Sequence, residues 1–194
     1  MNILISFKFG KTVLRIHFSF LLFNALVFLL RDSRLKLAFY TVCALHEGGH
    51  LAALALMGGH IRSVEMEGTG IRIDTPANGA DPVKKEVFVL ISGPAVNIIM
   101  YIITVLTGRS GYFAMLNLGA AVYNLLPYRS LDGGGIIAQF TSGTVHEKAA
   151  ELVLNVLKLC ITGTAAAFVI ICGSEFLPLL TAAAFLYISD YISR

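Results

Sequence analysis

The stretch His46-Glu47-Gly48-Gly49-His50 sits inside a segment, Leu35 to Met57, that otherwise reads LKLAFYTVCAL before it and LAALALM after it. No other feature of the chain restricts its fold as much. On a helix, two histidines four residues apart project from nearly the same face, so their imidazoles can hold one metal ion. Glu47 stands beside them, and an adjacent carboxylate can take a proton from a water that such an ion activates. Two imidazoles and a carboxylate are costly among lipid tails unless they have partners, which makes function the default reading of ionisable groups there.

That the surroundings are lipid follows from composition. Of 194 residues 56% are hydrophobic and 14% charged, with a mean hydropathy of +0.76, far from the balance of a soluble domain. The expected fold is an all-α polytopic membrane protein of about six transmembrane segments, a single domain over residues 1–194. The three cysteines, Cys43, Cys160 and Cys172, form no CxxC and no disulfide framework. Cys43, one helical turn before His46, reads as a small core residue rather than a ligand. The net charge of +3 is small and scattered, so no nucleic-acid partner is expected; the basic residues serve to orient helices.

Taken in order, residues 1–15 carry Lys8, Lys11 and Arg15 ahead of the apolar run Ile16 to Leu30. Arg31-Asp32 follows without a small-residue cleavage site, which predicts a retained first span, short at 15 residues and borrowing turns from its N-terminal flank. The second span is Leu35 to Met57. From Gly59 to Thr75 the pattern changes to alternation around Glu67-Gly68-Thr69-Gly70, predicting a small membrane-associated β-hairpin between the second and third spans. It reads either as a plain connection or as an edge that receives an extended peptide. Pro76 to Lys85 is a polar linker. The third span, about Glu86 to Leu106, contains Ser92-Gly93-Pro94-Ala95-Val96-Asn97, read as helix packing with Asn97 in need of a partner. The fourth, Gly111 to Leu126, ends in Asn124-Leu125-Leu126-Pro127-Tyr128-Arg129-Ser130-Leu131-Asp132-Gly133-Gly134. There Pro127 stops the helix and the glycines free the backbone just where a carboxylate appears, so Asp132 is the best third ligand in the chain. A fifth apolar segment ends near Cys172, with Lys158 read as snorkelling to the interface, and a sixth runs from Phe176 to Ile192.

Alternating the flanks puts Lys8, Lys11, Arg15, Arg62, Arg72, Lys84, Lys85, Arg129, Lys148 and Arg194 on one side, against Arg31, Arg34, Lys36 and Arg109 on the other. The positive-inside tendency then places the N-terminus, the hairpin and the Asp132 loop in the cytoplasm of what reads as a bacterial plasma-membrane protein. His46, His50 and Asp132 fall at compatible depths in that layout. With these three as ligands, one Zn2+ per chain would keep an open position, and Glu47 would act as the base toward an amide carbonyl. Asn124 is either a donor to the developing oxyanion or a helix-packing hydrogen bond.

Three stretches in this order, HEGGH at 46–50, SGPAVN at 92–97 and NLLPYRSLDGG at 124–134, resemble the site-2 protease family of intramembrane zinc metalloproteases. The six-span layout is similar to the compact bacterial subgroup that includes the sporulation-factor processing protease. The resemblance implies His46, His50 and Asp132 as zinc ligands, Glu47 as catalytic base and Asn124 near the reacting carbonyl. It also implies that the hairpin at 59–75 is the element to which a transmembrane or membrane-associated protein substrate adds as a strand. Ser130 stands where members often have Pro, and neither a PDZ nor a CBS sequence is read in the chain, so regulation by those modules is not implied. Two other readings share the polar groups. One is a zinc-bound but proteolytically inactive relative that holds membrane partners, against which Glu47 argues; the other is a metal or proton transporter, which predicts more intramembrane carboxylates than this chain has.

Overall fold

The structure, a computed structural model, describes residues 3–10, 12–29, 31–68, 70–74, 82–109, 111–173 and 177–192. The polar linker read over 76–85 lies outside the described residues as far as residue 81. The chain divides into two compact units, Met1–Leu125 and Leu126–Arg194.

The first unit begins with a sheet. Strands β1 (Ile3–Phe9) and β2 (Thr12–His17) form an antiparallel hairpin whose turn includes Gly10 at φ +59°, a left-handed conformation that glycine adopts without strain. Strand β3 (Ser63–Glu67) lies parallel to β2, and β4 (Gly70–Asp74) closes an antiparallel hairpin on β3, giving the order β1-β2-β3-β4. This corrects two expectations. The hairpin between the second and third spans exists, but as half of a four-stranded sheet, so the fold is not all-α. Residues 3–17 are the other half rather than a helical flank. Their alternation (Val13, Arg15, His17 against Leu14, Ile16) has the period of a strand, and β-branched residues favour that state. In the sequence, the basic residues so close to the apolar run had suggested a membrane flank instead. Across three strands Arg15, Glu65 and Arg72 stand opposite one another in register, a cross-strand charge ladder that pins the pairing.

Between β2 and β3 the chain crosses over through two helices, α1 (Phe18–Phe28) and α2 (Ser33–Leu56). Asp32 caps α2, its Oδ1 accepting the N–H of Arg34 at 2.8 Å and of Leu35 at 3.3 Å. The run expected as the first span thus forms an 11-residue helix that borrows no turn from its flank. Helix α3 (Pro82–Leu106) and helix α4 (Tyr112–Asn124) complete the unit, with α2 packed on both. The second unit holds α5 (Asp132–Thr141), α6 (Glu147–Cys172) and α7 (Leu177–Ile192), with Tyr128, Leu131 and Leu186 in its core. Lys158 does not snorkel. It is 1% exposed and its Nζ is 2.6 Å from Asp190 Oδ2.

Among the described residues two helices, Pro82–Leu106 and Glu147–Ile171, are long and apolar enough to cross a membrane, yet only 22% and 18% of their apolar stretches are buried. A soluble protein buries such helices in its core. Here Phe88, Ile91, Ile99, Ile102 and Ile103 of α3 and Leu152, Val153, Val156 and Leu159 of α6 face outward instead, as lipid-facing helices do. At 11, 13 and 16 residues, α1, α4 and α7 are shorter than the roughly 20 residues of a straight crossing.

Candidate metal centre

His46 and His50 both fall on the buried side of α2, 6% and 7% exposed, with ring centroids 4.7 Å apart and ring planes nearly perpendicular. Their outer nitrogens are committed. His50 Nδ1 lies 2.7 Å from the carbonyl oxygen of Val89, which can only accept, so this nitrogen carries the proton. His46 Nδ1 lies 2.7 Å from Asn97 Oδ1, and the proton's place there follows from a chain of amides. Asn117 Nδ2 donates to the carbonyl of Phe113 at 2.8 Å, leaving Asn117 Oδ1 to accept from Asn97 Nδ2 at 3.0 Å. That turns Asn97 Oδ1 toward His46, whose Nδ1 must therefore donate. Asn97 and Asn117 are both fully buried, and each spends its polar atoms in this relay.

The inner nitrogens are left facing each other, His46 Nε2 and His50 Nε2 being 3.1 Å apart. With both Nδ1 atoms engaged elsewhere, the two Nε2 atoms stand where one cation would take both as ligands. Two Zn–N bonds of about 2.0–2.1 Å at a tetrahedral angle span roughly 3.3 Å, so the pair fits a zinc ion. The Nδ1 partners are the outer-shell contacts that metal-ligating histidines ordinarily have.

Close approach of α3 to α2 makes this arrangement possible, and glycines permit it. A β-carbon at Gly49 would come within 2.7 Å of the Ser92 carbonyl oxygen, and one at Gly93 within 2.4 Å of His50 Nε2 and 2.8 Å of His46 Cε1. Pro94, inside α3, removes one rung of the helix ladder beside the Val89 carbonyl that His50 uses. The SGPAVN stretch, expected only to pack helices, thus shapes the site twice. Gly93 makes room for the imidazoles, and Asn97 orients one of them. In sequence the signal is a polar amide near the middle of the otherwise apolar run Val87 to Leu106; what it pairs with is not visible there. Replacing Asn97 with Leu should remove the Asn97 contacts of His46 Nδ1 and Asn117 Oδ1 and weaken zinc binding about 10–100-fold, measured by chelator competition. Unchanged affinity would reduce Asn97 to packing.

Glu47 is half-buried, one residue on from His46 in α2. Asn124 is the last residue of α4, and its Nδ2 donates to the Ala120 carbonyl of its own helix at 3.0 Å. In the second unit, half-buried Asp132 opens α5, immediately before the buried Gly133 and Gly134. Gly134 is required there, because a β-carbon would lie 2.1 Å from the Tyr128 carbonyl oxygen.

Another His-carboxylate group lies on the sheet. His17 Nε2 is 3.8 Å from Glu67 Oε1, Arg72 is 3.8 Å from Glu67 Oε2, and Arg15 pairs with Glu65. Both carboxylates there face guanidinium groups, so the cluster reads as an ion-pair network. His60 and His146 are in exposed connections.

No family model and no curated sequence matches this chain. Among solved structures it is similar to the site-2 protease from Methanocaldococcus jannaschii, with a TM-score of 0.63 over 96% of this chain and 93% of that one, at 20% identity. At that identity what the two share is a fold, and the helices that carry His46, His50 and Asn97 belong to it.

Proposed function

We propose that this chain is an intramembrane zinc metalloendopeptidase of the site-2 protease type, acting as one domain over residues 1–194 on a transmembrane or membrane-associated protein substrate. The observation that carries the reading is the pair of imidazole Nε2 atoms 3.1 Å apart with both Nδ1 atoms engaged elsewhere. His46 and His50 supply two ligands for one Zn2+ and Asp132 the third, leaving a position for water. Zinc, when bound, supplies the Lewis acidity that polarises a carbonyl and brings the ionisation of water near neutral pH. Glu47, one position along the same helix, takes the water's proton and returns it to the leaving amide nitrogen. Asn124 donates to the carbonyl oxygen as charge develops there, giving up its bond to Ala120.

The apolar exterior of α3 and α6 supports a multi-pass membrane location. The positive-inside count supports a cytoplasmic N-terminus in a bacterial plasma membrane, with about six membrane segments, the short ones included, as in the compact sporulation-factor subgroup. The edge strand β4, which pairs with β3 alone among the described strands, supports a substrate that adds as a strand.

Replacing Asp132 with Ala should lower zinc content in detergent-solubilised protein from about one per chain to a small fraction, read by elemental analysis. Unchanged stoichiometry would remove Asp132 from the ligand set. The substrate would be found by mass spectrometry of membrane-protein fragments that disappear when Glu47 is changed.

A further inference from the structure

The second unit contains a buried ion pair with no part in the chemistry above. Lys158 of α6 and Asp190 of α7 are 1% and 2% exposed, with Nζ and Oδ2 at 2.6 Å. Desolvating two such charges costs several kcal/mol each, and well-packed apolar side chains of similar volume usually serve stability as well or better. Stability alone is therefore a poor reason for the pair. The other carboxylate oxygen supplies a better one. Asp190 Oδ1 accepts the backbone N–H of Arg129 at 2.6 Å, a charge-assisted bond to an amide that lies outside any helix ladder.

Arg129 is three residues before Asp132, in the turn that leads into α5. Its guanidinium is 2.6 Å from Glu151 of α6, so α6 holds its side chain while α7 holds its backbone. The rest of the turn is short and tied to itself. Leu131 N–H donates to the Tyr128 carbonyl at 2.9 Å and Gly135 N–H to the Leu131 carbonyl at 3.0 Å. Tyr128 is fully buried, with Lys158 Nζ 5.7 Å from its ring centroid. The chain thus has little slack between the anchored Arg129 amide and Asp132.

We infer that Asp190, held in place by Lys158, is a positioning residue that fixes the 127–131 turn and so sets where Asp132 presents its carboxylate to the metal. This rests on Asp132 being a zinc ligand. Lys158 sits against one oxygen of Asp190 as its counter-charge, and the other oxygen accepts the N–H of the turn.

Two double variants separate positioning from stability. Lys158→Met with Asp190→Asn removes both charges but keeps an acceptor for the Arg129 N–H; Lys158→Met with Asp190→Leu removes the acceptor as well. Zinc affinity by chelator competition should stay near wild type in the first and fall about tenfold or more in the second. Thermal stability in detergent should be equal in the two or higher in the Leu variant. Affinities that follow stability, or are equal in both variants, would overturn the inference. The Asp132→Ala protein decides which idea has failed. If it binds zinc as wild type does, the ligand assignment falls; if it loses zinc while the Leu double variant does not, only the positioning role falls. Should the Leu variant not fold, hydrogen exchange on the wild-type protein gives the same decision. The peptide across 127–132 should be protected, and exchange at the rate of a free loop would overturn the role of Asp190.

Discussion

On the proposed function, Glu47→Gln protein should retain zinc at wild-type stoichiometry and should cleave a membrane substrate about 10²–10⁴-fold more slowly, the usual range for loss of a general base. Gln has nearly the shape of Glu and suits a helix equally well, so α2 is undisturbed. The two histidines are oriented by Asn97 and by the Val89 carbonyl, and neither contact involves residue 47. Metal binding and proton transfer should therefore separate cleanly in this variant. The assay needs zinc by elemental analysis and substrate fragments by mass spectrometry, on the same preparation. Cleavage at the wild-type rate would discard Glu47 as base, and loss of zinc would show that the carboxylate holds the site together. Complete indifference of every membrane protein to the wild-type chain would favour a partner-binding relative instead.

Gly93→Ala should have an equally large effect by a different route. The added methyl would stand 2.4 Å from His50 Nε2, the atom that faces the metal. Helix α3 cannot simply retreat, because Gly49 against the Ser92 carbonyl and His50 against the Val89 carbonyl fix the two backbones together. The imidazoles must give way, and zinc affinity should fall by about a hundredfold, the upper end of what loss of an orienting partner costs. Gly48→Ala is the matched control. A β-carbon at Gly48 meets nothing within 4 Å, and alanine is the better helix former by about 1 kcal/mol, so zinc affinity should hold and thermal stability should not drop. Equal behaviour of the two alanine variants in chelator competition would mean that Gly93 does not shape the site.

Much of this was legible in the chain itself. HEGGH gives the histidine pair because the helical period is a property of the backbone, and the longest apolar runs give α3 and α6, the described helices long and apolar enough to cross a membrane. The misreadings share one cause. Residues 1–15 read as a flank of the apolar run because Lys8 and Arg15 stand near it, whereas a strand's stability depends on partners, and β2 is paired on its second side by Ser63–Glu67, about fifty residues on. Lys158 was assigned to the interface because a lone lysine in an apolar helix ordinarily snorkels. Asp190, thirty-two residues later, gives it a buried counter-charge, and nothing in the local sequence around either residue announces the other. Asn97 was correctly marked as needing a partner, but its identity required knowing which faces of α2 and α4 lie against α3.

The sequence by itself determined the chemistry on offer: two imidazoles on one helical face, a carboxylate beside them, and an apolar setting in which such groups are costly. Periodicity and solvation act over a few residues, so a linear reading captures them. Tertiary structure alone decided the imidazole tautomers, through Asn97, Asn117 and the Val89 carbonyl, and the space the rings occupy, through Gly93. Those are contacts between helices distant in sequence, and hydrogen bonds and excluded volume act only between atoms that folding has already brought together.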